Sequence, residues 1–151
     1  MFTRRQFLAS LAALPVAGSP AASRAASPMV FTRDGLAING FDPVAYFAKS
    51  GPRLGTPEQA LMWKGAVWRF VSARNRVMFE SNPWAYAPQF GGYCAYAMSL
   101  GEIAVTDPVA WRVYNGKLFL IHDLSTRAFW LRDISGNIKR ANDNWPAVLR
   151  Q

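Results

Sequence analysis

The dipeptide Asn115-Gly116 constrains the fold more than any other pair in the chain. It separates two dense apolar segments, "WRVY" and "KLFLIH". Both residues tolerate positive φ, as the two central positions of a type I′ turn require, and that turn matches the twist of paired antiparallel strands. A β-hairpin is therefore predicted here. Lys64-Gly65 repeats the logic inside "QALMWKGAVWRFVS", where a second hairpin is expected. In "VWRFV" the alternation of Val67, Arg69 and Val71 against Trp68 and Phe70 is only partial, so both faces of that strand should be mostly covered.

Between and after the hairpins the chain carries helix signals. Asp42 should cap a short helix, with Pro43 at its first position and Gly51 past its end. Ser72 should cap "ARNRVMFESNP", with Val77, Met78 and Phe79 on its apolar side. "PWAYAPQFGG" reads as a further helical turn stopped by Pro88 and Gly91-Gly92. Asp107 is expected to cap a helical turn ahead of the second hairpin, and Asp123 to cap "LSTRAFWLRD". A last helix should cover "SGNIKRANDNWPAVL", broken near Trp145-Pro146. The expectation is one small α+β domain over 37–150, two short antiparallel hairpins packed with four or five short helices. Residues 26–36 are expected to form a linker and edge segment ahead of it.

Residues 1–25 read as an export signal. "TRRQFLASLAALPVAG" joins paired arginines, Arg4 and Arg5, to a mildly apolar, alanine-rich run. That run is shorter than the roughly 20 apolar residues a spanning helix needs. The arginine pair points to the twin-arginine route, and "SRAAS" places the cut after Ala25. The expected compartment is the periplasm, with the export machinery as a partner. Removing Arg4, Arg5 and Arg24 with no acid takes the net charge from +8 to +8 − 3 = +5. The remaining cations are scattered and do not cluster on one face, so nucleic acid is not an expected partner. No second hydrophobic run is long enough for a membrane span.

The candidate chemistry centres on Cys94, the chain's single cysteine, in "QFGGYCAYAMSLG". One cysteine cannot make an intramolecular disulfide, so in an oxidising compartment it is buried and inert, a metal ligand, or a partner for another molecule's thiol. Gly91 and Gly92 permit positive φ, and a turn there could aim backbone N–H groups at the sulfur and favour the thiolate. Tyr93 and Tyr96 could add hydroxyl donors. Cys94 with His122, the chain's single histidine, and Met98 would form a soft donor set suited to copper. A redox partner protein or a metal ion is the matching partner. The alternative is a non-catalytic binding module in which Cys94 is a small buried hydrophobe. No H-E-x-x-H, G-x-S-x-G or phosphate loop is present.

Four segments together, "NGFDPVAYF", "WRFVSARNRVMFESNPWAYAPQFGGYCAYAMSLG", "DPVAWRVYNGKLFL" and "DISGNIKRANDNWP", resemble the exported YHS-domain proteins in order and spacing. The resemblance implies a small α+β unit associated with metal handling, copper and heavy metals above all. In the metal-linked pattern a strand ends in Phe-Cys-Ser and a second cysteine follows four residues after the first. Val71 and Asn75 stand at those positions here, while Phe79, Pro83 and Tyr86 keep the downstream spacing. The resemblance thus implies that the usual thiolate pair is absent. Some of the proteins resembled are selenoproteins, which implies selenium at the position of Cys94 and a nucleophilic redox role there. The export reading has a direct test: Arg4→Lys with Arg5→Lys should abolish periplasmic accumulation, measured by fractionation, and normal accumulation would remove the twin-arginine assignment.

Overall fold

A computed structural model describes residues 25–151. Residues 1–24 of the proposed signal, with Arg4, Arg5 and Arg24, lie outside the described residues. Strands β1 (Thr32–Arg33) and β2 (Leu36–Ala37) form a miniature antiparallel pair at the edge of a four-stranded sheet. The sheet is completed by β3 (Thr56–Trp63) and β4 (Ala66–Phe70), in the order β1-β2-β4-β3. β2 runs parallel to β4, and β3 pairs antiparallel with β4 around Lys64-Gly65. Both turn residues have positive φ, 49° and 74°, so the Lys64-Gly65 hairpin forms as expected.

Helices α1 (Ala73–Ser81) and α2 (Pro83–Tyr86) follow, then α3 (Ala95–Ser99). Ser72 caps α1 by accepting from the Asn75 N–H at 3.2 Å. The second sheet has two strands, β5 (Asp107–Tyr114) and β6 (Lys117–Ile121), joined by Asn115-Gly116 with φ of 48° and 69°. The chain ends with α4 (Leu124–Arg132) and α5 (Ile134–Asn144), and one turn after a cis Trp145-Pro146 bond. Asp123 caps α4 through the Thr126 N–H. The described residues form a small α+β domain, as the sequence suggested: five α-helices pack with the two expected hairpins, β3–β4 and β5–β6, and the short β1–β2 pair extends the first sheet.

One local expectation changes at the second hairpin. Asp107 does not open a helix. It begins β5, where its carboxyl accepts from the Val109 N–H at 3.0 Å and the pairing slips between Asp107 and Trp111. The local side-chain hydrogen bond that would cap a helix here shapes a bulged strand instead. Residues 26–36 lead into the edge strand β1 and are held along the way. The Ser27 N–H donates to Leu149, the Phe31 N–H donates to Gly91, and Val30 is buried.

β6 organises the interior. Phe119 and Ile121 enter one buried cluster with Cys94, Met98 and Trp130. Leu118 and Leu120 enter the other, with Tyr46, Trp68, Phe70 and Phe79. Successive side chains of a strand point to opposite faces, so this one strand walls both cores.

Asp42 ties the hairpin sheet to the chain before it. Its side chain is fully buried. One carboxyl oxygen accepts from the Val44 and Ala45 N–H groups at 2.8 and 3.3 Å, a local turn that leads into the single helical turn Ala45–Phe47, whose N-cap is Val44 in place of the expected Asp42. The other accepts from the Val71 N–H at 2.9 Å and the Asn75 side-chain amide at 2.7 Å. Val71 and Asn75 are thus joined by hydrogen bonds to one carboxyl group. Asp42→Ala would leave these buried donors unpaired at roughly 1–3 kcal/mol each before relaxation. The expected loss of stability is about 3 kcal/mol, read from the denaturant midpoint. A loss below about 1 kcal/mol would show that the knot carries little of the fold.

Candidate functional site

Cys94 sits at the N-cap of α3, with 1 % of its surface exposed. Its sulfur accepts from the Ala97 N–H at 3.5 Å and from the His122 N–H at 3.3 Å. The amides therefore come from the helix that Cys94 caps and from the residue that follows β6. They do not come from the Gly91-Gly92 turn. Hydrogen bonds of this kind favour a thiolate, while burial disfavours it. Burial is the larger effect, so the thiol is pushed above its ordinary value, and the nearby Asp123 charge acts in the same direction.

The other residues expected around the sulfur have separate employment. The Tyr93 hydroxyl donates to the Pro28 carbonyl at 2.9 Å, which fastens the N-terminal segment. Tyr96 stacks on Phe129, with ring centroids 6.0 Å apart. Met98 is fully buried in the cluster that holds Cys94, and its N–H closes the first turn of α3 on the Cys94 carbonyl. Gly91 and Gly92 have φ of 61° and 84°. A Cβ on Gly91 would overlap the Met29 carbonyl oxygen, so glycine is required there for the close approach of two backbones.

His122 does reach Cys94, through its backbone. Its imidazole Nδ1 lies 2.9 Å from the Val105 carbonyl oxygen, which can only accept, so Nδ1 is the donor. Asp123, the adjacent acid, is used as the α4 cap, and hydrogen bonds from Thr126 and Ser125 hold its carboxyl down at about 2. Among the described residues no group of three or more His, Cys, Asp or Glu side chains is placed to hold a metal ion. A copper ion needs the sulfur and a second soft donor together; the Cys94 sulfur is buried and already accepts two backbone N–H groups, which opposes its use as a ligand, while the Nδ1 bond does not occupy His122 Nε2.

A different part of the surface has the form of a binding site. A cleft of about 230 Å³ opens between the β3–β4 turn, α2 and the segment after it, and the end of α5. Four of the chain's six tryptophans line it: Trp63, Trp68, Trp84 and Trp145. Phe90 and Pro88 complete the apolar wall, and Lys64, Gln89 and Asn142 add polar groups. Trp84 is 67 % exposed, an unusual state for the largest apolar side chain. Its ring meets Trp63 edge-on at 5.3 Å, and the Lys64 ammonium stands 3.8 Å from the Trp84 centroid. Phe90 adopts φ of 55°, so a non-glycine residue in the left-handed region forms part of the wall.

This cleft was not legible in the sequence. Its aromatic residues looked like core material, and they come from positions far apart in the chain. The available signal was local: Trp84 follows Pro83 in a helical turn too short to bury a large ring, and Trp63 adjoins the exposed Lys64-Gly65 turn.

Compared with protein-family models, with curated proteins and with solved structures, the chain finds no match. Among the described residues no helix is long and apolar enough to cross a membrane.

The geometry of Cys94 predicts its reactivity. A thiol-specific reagent should leave the native protein unmodified at neutral pH and should label one thiol per chain after denaturation. Because burial raises the thiol, moderate alkalinity should not restore native labelling. Fast labelling of the folded protein would overturn this account of the site.

Proposed function

We propose that this chain is an exported, non-catalytic binding module of the YHS type, that the tryptophan-lined cleft is its ligand site, and that Cys94 is packing. The observation that carries this reading is the cleft itself. It is concave, mainly apolar and furnished with a few polar groups, which is the usual make-up of a small-molecule site. Its walls come from elements already fixed by the two cores, so it is largely preformed.

The thiol-centred alternative, a redox or copper site at Cys94 served by a metal ion or a redox partner, draws support from the two amides that point at the sulfur. Burial opposes it, because the sulfur is neither exposed to a partner nor eased toward the thiolate. The cleft is open to solvent and needs no rearrangement to admit a ligand.

The test is a screen of small ring compounds against the isotope-labelled protein, read at the tryptophan indole N–H resonances. Saturable shifts are expected at Trp84 and Trp63, unchanged in Cys94→Ala if that variant folds. Saturable binding near Cys94, or none near the tryptophans, would set the reading aside.

A further inference from the structure

We propose that the ligand of the tryptophan-lined cleft is a small single-ring carboxylate, an inference that rests on the binding reading above. Size limits the ligand first. At about 230 Å³ the cleft lies below the roughly 300–1,000 Å³ of sites for drug-sized molecules, so one ring with a short polar arm fills it. Shape limits it next. The edge-to-face pair of Trp63 and Trp84, at 5.3 Å, presents flat apolar surface on which a ring can lie.

Charge then selects the polar arm. Among the lining residues Lys64 is the charged one, and no carboxylate is among them. Among the described residues Lys64 is in no salt bridge, and its exposed ammonium stands over aromatic faces, 3.8 Å from Trp84 and 5.1 Å from Trp63, with no carboxylate beside it. An ammonium has three donors and no acceptor, and an indole has one donor and no acceptor. The side-chain acceptors of the lining are the amide oxygens of Gln89 and Asn142. A donor-rich, positively charged cleft matches a ligand that brings acceptors and a negative charge. A cationic ligand would have to displace Lys64 from the rings and would be repelled by it.

Phenylacetate, benzyl alcohol and benzylammonium separate the possibilities, since they share a ring and differ in charge. Binding is read by titration at the Trp84 and Trp63 indole N–H resonances. Phenylacetate should bind at least tenfold more tightly than benzylammonium, with benzyl alcohol between them. Lys64→Asn removes the ammonium but keeps a residue that tolerates the turn's positive φ. It should lower phenylacetate affinity about tenfold, the scale of one charge-assisted hydrogen bond, with a much smaller effect on benzyl alcohol. Trp84→Ala, a change at an exposed position, should weaken all three. If benzyl alcohol or benzylammonium binds as well as phenylacetate, the carboxylate assignment fails while the binding site stands. If none of the three gives saturable shifts, the assignment fails together with the binding reading.

Discussion

β6 is the constraint on which the rest of the structure depends. Its residues Leu118 to Ile121 are buried on both faces, so each successive side chain is committed to a different core. A slip of one residue in its pairing with β5 would exchange Leu118 and Leu120 for Phe119 and Ile121 and mismatch both interiors. The Asn115-Gly116 turn prevents that slip, because a two-residue loop fixes the register of the strands it joins. From this wall the helical layer of α3, α4 and α5 lies to one side and the hairpin sheet with α1 and α2 to the other. Cys94 acquires its position in the same way, through the N–H of the residue that follows β6.

Two effects compete at that sulfur. Amides directed at it would make it more acidic, and removal from water makes it less so. Burial wins here because the same packing that supplies the amides also excludes solvent. The outcome is a thiol that completes a helix cap and fills volume between β6 and the helices. A cysteine with the same neighbours at a surface cleft would have the opposite character.

A second buried tie lies at the start of α1. Val71 and Asn75 contribute a backbone amide and a side-chain amide to the Asp42 carboxyl group. A polar tie of this kind works as long as every buried group in it is paired. It holds the start of α1 against the chain near Asp42, a structural service that requires no ion.

Much of the fold was legible in local sequence, and the physical reason is that turns and caps are local. Asn115-Gly116, Lys64-Gly65, Ser72 and Asp123 act on residues within a few positions, so their hairpins and helices could be read directly. Asp107 misled because a carboxyl followed by a free N–H serves a bulged strand as well as a helix start, and only pairing with β6 decides between them. The sequence also determined that no internal disulfide exists, because the chain has a single cysteine. Tertiary structure alone decided that Cys94 is buried, that His122 meets it through the backbone, and that Trp63, Trp84 and Trp145 surround one cleft. Those facts depend on contacts between residues distant in the chain, and burial at any one position is set by what other segments bring to it.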